Sequence, residues 1–85
     1  FDEIETKKLK DTIDINITQV GMMTKVFLPK LLNRKKRSAL INVSSMMGYF
    51  EGCAGTATYI ASKTYVNFFT HALYQELSNN DKIDI

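Results

Sequence analysis

The sequence predicts an α/β fold in which helices cover a parallel sheet. Helical periodicity over residues 11–32 and 59–77 alternates with an apolar run at 39–43, and a second such run begins at 83–85. Helices that alternate with strands indicate parallel strands joined by right-handed crossovers. One strand and the beginning of another cannot form a sheet with two covered faces. We therefore expect these 85 residues to be part of a larger domain.

The first helix carries apolar side chains on two faces. One stripe recurs at three-, four- and seven-residue steps. A second apolar face consists of Ile15, Met22, Met23 and Val26. Such a helix is expected to be buried on two sides. Pro29 predicts a kink or the last turn. The main stripe consists of Ile13, Ile17, Val20, Phe27 and Leu31.

Composition excludes several classes of function. A net charge of +2 is too small to indicate nucleic-acid binding, and the single cysteine (Cys53) and single histidine (His71) provide neither a disulfide nor a metal centre. No apolar run approaches the roughly 20 residues that span a bilayer. The basic run at 34–37 could contact phosphate or an anionic membrane surface, but a solvated loop is the simpler interpretation.

The most informative stretch runs from Ser44 to Lys63. Ser44 and Ser45 follow the apolar run, at the strand end where open α/β sheets bind ligands. Tyr59 and Lys63 are four residues apart and so share one helical face. A cation near a phenol favours its ionised form, which suits proton exchange with a carbonyl or an alcohol. The spacing alone also fits an exposed lysine one turn after a half-buried tyrosine.

The loop between these motifs leaves two interpretations open. Met47, Tyr49 and Phe50 either line an apolar substrate pocket or pack the loop onto the core. Thr56 or Thr58 is expected to cap the helix that follows.

The order of these parts resembles a known family. Residues 42–48, Asn-Val-Ser-Ser-Met-Met-Gly, followed by residues 59–63, Tyr-Ile-Ala-Ser-Lys, are similar to the short-chain dehydrogenase/reductase family. Residues 63–69 resemble more narrowly its branch of 3-ketoacyl-CoA reductases and hydroxysteroid dehydrogenases. The resemblance implies a Rossmann-like, doubly wound parallel sheet. Residues 1–85 would be its helix–strand–helix portion, the central-to-C-terminal part of an NAD(P)-binding domain without the Gly-rich cofactor half.

The resemblance also implies roles for individual residues. Tyr59 matches the acid/base catalyst, and Lys63 matches the lysine that binds the nicotinamide ribose and promotes ionisation of the tyrosine. Ser45 matches the serine that binds the substrate carbonyl. Its separation from Tyr59 is slightly longer than usual, so Ser44 is a lesser candidate. Asn16 matches the asparagine that anchors a proton-relay water; it could also be a helix residue that bonds the backbone.

The implied activity is that of an NAD(P)-dependent oxidoreductase that reduces a ketone or oxidises a secondary alcohol. The narrower expectation is a 3-ketoacyl-CoA or keto-steroid substrate with NADP, with NAD not excluded. The alternative is a non-catalytic family member that serves as a structural or interaction subunit of an assembly. The isolated 85-residue chain is expected to be inactive, because it lacks most of a dinucleotide site.

Partners and location follow from the same resemblance. The two long helices carry broad apolar surfaces, and in the family such helices pair with their copies, so a homodimer or larger assembly is expected. No nucleic-acid partner is expected. The endoplasmic reticulum membrane is the implied location, with the cytoplasm as alternative, and membrane contact would occur only through segments outside this chain.

Overall fold

A computed structural model describes all residues 1–85. The helices are α1, a π-helical turn, α2, a 3₁₀ turn and α3; the strands are β1 and β2. Their bounds are Thr6–Ile13 (α1), Asp14–Thr18 (π turn), Gln19–Leu32 (α2), Ser38–Ala39 (β1), Met46–Tyr49 (3₁₀ turn), Ala57–Leu77 (α3) and Ile83–Asp84 (β2).

The first helical stretch is continuous from Thr6 to Leu32, because the residues on both sides of the π turn keep helical dihedral angles. It begins five residues before the predicted start at residue 11. Pro29 lies in its last turn, as predicted. The π turn was not predicted, since one extra residue within a turn shifts an apolar stripe without erasing it.

The strand predicted at 39–43 is wrong in length. Only Ser38 and Ala39 form β1, which pairs in parallel with Ile83 and Asp84 of β2. A strand needs a hydrogen-bonded neighbour, and β2 provides only two residues. Ile41 remains 83% exposed. The parallel pairing agrees with the α/β prediction, and the order of elements is the predicted one.

Helix α3 matches its prediction closely, from Ala57 to Leu77 against the expected 59–77. Thr56 occupies the N-cap position, but its side chain does not cap the helix. Its hydroxyl instead donates to the carbonyl of Cys53 at 2.8 Å. The cap prediction is therefore right in position and wrong in mechanism.

The core is small and lies along one face of α3. Its buried hydrophobic side chains are Ile60, Val66 and Leu73 of α3, joined by Ile83 of β2. The molecule is elongated, with extents of 50 × 24 × 15 Å. No helix combines the length and apolar character that a membrane span requires.

Candidate active site

The first two turns of α3 present Tyr59 and Lys63 together. The Lys63 ammonium lies 5.7 Å from the centroid of the Tyr59 ring, and Tyr59 is 39% exposed. The predicted shared face is therefore present, and the phenol is open to solvent. Tyr59 also borders a cavity of about 290 Å³ between the start of α1 and residues 55–59.

Ser44 and Ser45 were expected at the strand end, but β1 ends at Ala39, so they lie five and six residues beyond it. The two serines make different hydrogen bonds. The Ser44 hydroxyl donates to the backbone carbonyl of Lys63 at 3.0 Å, so its proton is already used. The Ser45 hydroxyl accepts from the Met47 amide at 3.2 Å and thereby caps the 3₁₀ turn. A serine hydroxyl has one proton and two lone pairs, so Ser45 keeps its proton for another acceptor. The geometry favours Ser45 over Ser44 as a carbonyl-binding group.

The 3₁₀ turn packs directly on α3. Thr64 donates its hydroxyl proton to the Gly48 carbonyl at 3.0 Å. Gly48 is buried, and a Cβ atom there would lie 2.6 Å from Asn67 Nδ2 and 2.9 Å from the Lys63 carbonyl. Only glycine allows this approach without a shift of backbone. We call residues 44–48 packed on residues 63–67 the strand-end junction.

Asn16 reaches the same region from the π turn. Its Nδ2 donates to the Ser62 hydroxyl at 3.1 Å, and Ser62 in turn donates to the Tyr59 carbonyl at 2.7 Å. The structure therefore brings all four predicted residues, Tyr59, Lys63, Ser45 and Asn16, to the N-terminal half of α3. π turns occur frequently at functional sites.

The loop after the turn separates the aromatic residues that the sequence grouped together. Phe50 lines a cavity of about 580 Å³ over α3, together with Cys53, Ile60 and Thr64. Tyr49 is 81% exposed and borders a different cavity. Phe50 is thus the loop residue that best fits an apolar pocket.

His71 and Cys53 lie apart from the Tyr59–Lys63 face. His71 stacks on Tyr74 with ring centroids 6.5 Å apart, in the second half of α3. Cys53 is exposed, and its thiol contacts only the neighbouring Ala54 carbonyl at 3.8 Å. Neither residue makes a hydrogen bond to a predicted site residue.

The profile of the short chain dehydrogenase family matches residues 1–85, the whole chain. The chain belongs to the short-chain dehydrogenase family. This membership agrees with the Rossmann-like class and the oxidoreductase chemistry expected from the motifs. Members of the short-chain dehydrogenase family generally use NAD(P).

Among its relatives, a very-long-chain 3-oxoacyl-CoA reductase from Kluyveromyces lactis is 38% identical over 100% of the chain and 25% of its own length. Hydroxysteroid dehydrogenase-like protein 1 from Gallus gallus is 35% identical over 93% of the chain and 23% of its own length. An inactive hydroxysteroid dehydrogenase-like protein 1 from Homo sapiens is 34% identical, again over 93% and 23%. The chain thus spans about a quarter of the length of these relatives. No solved structure matches it.

Sequence reasoning missed three contributors to the geometry of this candidate site. Gly48 was included as the last residue of the 42–48 motif but was given no role, although a glycine there permits a close backbone approach. Thr64 and Ser62 gave no distinct signal, because a hydroxyl within a helix can equally face solvent or bond to its own backbone.

Proposed function

We propose that the protein containing this chain is an NAD(P)-dependent oxidoreductase that reduces a ketone or oxidises a secondary alcohol. Family membership supports the reaction class. The observation that carries the proposal is the exposed Tyr59 phenol, with the Lys63 ammonium 5.7 Å from its ring, on the α3 turn to which the strand end is hydrogen-bonded. Within the domain, we propose that residues 1–85 form the central-to-C-terminal part and that the Gly-rich cofactor half lies outside them.

The donor groups on this face fit the ribose of a nicotinamide cofactor. Lys63 offers three N–H donors and Tyr59 one O–H group, which match a pair of vicinal hydroxyls. A bound nicotinamide would supply the hydride equivalent. We propose NADP, with NAD as the alternative.

The residues of this chain would handle the substrate oxygen and the proton. Ser45 would donate its free hydroxyl proton to the carbonyl oxygen, where negative charge develops during reduction. Tyr59 would then transfer its proton to that oxygen, and the positive charge of Lys63 would favour the phenolate left behind. Asn16, on the π turn, would anchor a water that returns protons toward Lys63. In alcohol oxidation the same groups would act in reverse.

The substrate class follows from the relatives' names. Very-long-chain 3-oxoacyl-CoA reductases match at 37–41% identity, and hydroxysteroid dehydrogenase-like proteins at 34–35%. We propose a 3-oxoacyl-CoA or keto-steroid substrate, with the apolar cavity at Phe50 as the candidate contact for its chain. We further propose a homodimer built through the long helices. The proposed location is the endoplasmic reticulum membrane, with the cytoplasm as alternative.

The test is turnover of the complete protein with a long-chain 3-oxoacyl-CoA or a keto-steroid, followed by NADPH or NADH absorbance. Tyr59→Phe removes the proton donor and keeps the ring, so turnover should fall at least ~100-fold while cofactor binding is kept. Tyr74→Phe, in the second half of α3 and 49% exposed, is the matched control and should turn over normally.

Two results would contradict the proposal. Turnover of Tyr59→Phe close to wild type would remove the tyrosine from the mechanism. A wild-type protein that binds cofactor yet reduces neither substrate nor simple ketones would favour the non-catalytic alternative.

A further inference from the structure

Ser62 is the most deeply buried polar side chain of the molecule, with 0% of its surface exposed. Buried polar groups require hydrogen-bond partners, and Ser62 has two. Its hydroxyl accepts from Asn16 Nδ2 at 3.1 Å and donates to the Tyr59 carbonyl at 2.7 Å. With its proton used and its surface covered, Ser62 cannot contact a substrate or a cofactor. Any contribution to chemistry must pass through its partners.

The bond between Asn16 and Ser62 connects two elements that are 46 residues apart in sequence. It is the single side-chain hydrogen bond between the stretch Thr6–Leu32 and α3. Elsewhere these helices meet by close packing, as where Gly21 approaches the Tyr65 hydroxyl. Packing sets a distance between helices, whereas a hydrogen bond also fixes direction, because its strength falls steeply with angle.

The hydrogen bond between Asn16 and Ser62 lies next to the candidate catalytic pair, whose orientation it can affect. Asn16 is the middle residue of the π turn Asp14–Thr18, and Ser62 lies between Tyr59 and Lys63. The Ser62 hydroxyl also bonds the carbonyl of the peptide that follows Tyr59, three residues earlier on α3. One buried hydroxyl therefore joins the π turn to the backbone that carries the candidate proton donor.

We infer that Ser62 is a positioning residue whose hydroxyl fixes the π turn with Asn16 against the first turn of α3 and so sets the placement of Tyr59 and Lys63. The inference rests on the proposed oxidoreductase function. Loss of the hydroxyl lets the first turn of α3 move relative to the π turn. A shift of that kind slows the chemical step, since misplacement of a catalytic group by about 1 Å can cost ~100-fold in rate.

The first test is steady-state kinetics of Ser62→Ala in the complete protein, with NADPH and a long-chain 3-oxoacyl-CoA. We expect kcat to fall by about tenfold, with KM for both substrates changed by less than about twofold. Ser38→Ala is the matched control, because Ser38 is also buried (6% exposed) and donates to a helix carbonyl, that of Leu31, at 3.4 Å. Ser38 makes no hydrogen bond to a site residue, so its loss should leave kcat unchanged. A loss of kcat equal in both variants, or no loss in Ser62→Ala, overturns the inference.

The second test is a double-mutant cycle of Ser62→Ala with Asn16→Ala. If the hydroxyl acts through Asn16, the double variant loses little more than the worse single variant. Losses in kcat that multiply independently overturn the inference. Ser62→Cys replaces the hydroxyl with a larger but much weaker hydrogen-bonding group, and it is the second variant if Ser62→Ala does not fold.

Amide hydrogen exchange over residues 14–19 gives a readout that needs no activity. Ser62→Ala should exchange faster there than wild type, and Ser38→Ala should not. If the wild-type protein shows no turnover, the proposed function fails, and this exchange then decides the inference alone. Unchanged exchange in Ser62→Ala would overturn it.

Discussion

The strand-end junction and the outer face of α2 differ in how far other residues of the chain cover them and bond to them. At the junction, hydroxyls of Ser44 and Thr64 bond to carbonyls across the contact, and Gly48 is buried without room for a methyl group. The outer face of α2 is apolar and open, and no other part of the chain covers it. Its exposed side chains are Met22 (60%), Met23 (47%), Val26 (50%) and Phe27 (43%).

The difference shows which parts of the structure depend only on contacts within these 85 residues. The hydrogen bonding of the strand-end junction depends on residues 44–67 alone and is complete in this chain. Burial of the long helices is not, because only four hydrophobic residues are buried here. Exposed apolar surface of this kind is the basis of the proposed homodimer. The hydrogen bonds of the strand-end junction are thus all made within these residues, whereas the long helices stay largely uncovered, and the following variants probe each region separately.

The largest expected effect concerns the apolar surface of the long helices, on which Phe69 of α3 is the proposed anchor of the homodimer. Phe69→Asp in the complete protein should weaken self-association at least about 30-fold, because a central aromatic anchor contributes about 2 kcal/mol or more and the charge would be buried unpaired. Phe69 also stacks on Tyr65, with ring centroids 5.4 Å apart, so its substitution affects folding as well as association. Phe68 is 71% exposed, so Phe68→Asp tests association with less effect on folding.

Sedimentation of both variants beside Gln75→Asp, an exposed polar control, checks the proposed homodimer. Wild-type protein that sediments as a monomer at all concentrations would contradict it, and the apolar surface would then need a different cover.

A smaller effect is expected at the strand-end junction. Gly48→Ala should lower the free energy of unfolding by about 1–3 kcal/mol, because the new methyl group meets backbone atoms of Lys63 that cannot easily move. Gly52→Ala is the matched control: nothing lies within 4 Å of its Cβ position, and a change within about 0.5 kcal/mol is expected. Denaturant unfolding measures both. Equal stability of the two variants would show that the junction is not tightly packed.

The smallest effect is expected at the exposed ion pair that joins the strands. The Arg37 guanidinium donates to both oxygens of Asp84, at 2.9 and 2.5 Å, and this hydrogen bonding lowers the pKa of Asp84 below its ordinary value of 3.8. Because the folded-state pKa is lowered, the pair stabilises the fold above pH 3.8, and this stabilisation is lost as pH falls through the folded-state pKa.

NMR titration of the Asp84 carboxyl carbon checks this assignment. In Arg37→Met the pKa of Asp84 should rise toward 3.8, whereas Arg34→Met, which removes a cation without an ion pair, should leave it unchanged. If Asp84 titrates identically in wild type and in Arg37→Met, the Arg37–Asp84 ion pair does not form in solution and does not stabilise the pairing of β1 and β2.

The sequence was sufficient for features set by local periodicity. A spacing of four residues placed Tyr59 and Lys63 on one face, and the alternation of elements indicated the parallel pairing of β1 and β2. It was insufficient where a partner distant in sequence decides the outcome. The strand is shorter than the predicted 39–43 because a strand forms only beside a hydrogen-bonded neighbour. The sequence also did not indicate that Ser44, and not Ser45, donates its proton to the Lys63 carbonyl.

The π turn illustrates a second reason. Its extra residue leaves the apolar periodicity of the first helix almost unchanged, so no pattern of side chains marks it. Asn16 was nevertheless identified by the family resemblance. The partner that holds it, Ser62, became visible only once two segments 46 residues apart were placed in contact.

The central claim of the proposed function is that Ser45, and not Ser44, would bind the reacting carbonyl, while Ser44 holds the segment after β1 to α3. Ser44→Ala and Ser45→Ala form a matched pair, since each removes one hydrogen bond and should cost about 1 kcal/mol in stability. Turnover of the complete protein with NADPH and a long-chain 3-oxoacyl-CoA should fall about 100-fold in Ser45→Ala, because a donor to the developing oxyanion is lost. In Ser44→Ala it should stay near wild type per folded molecule. The reverse pattern, or equal losses in both variants, would contradict the account.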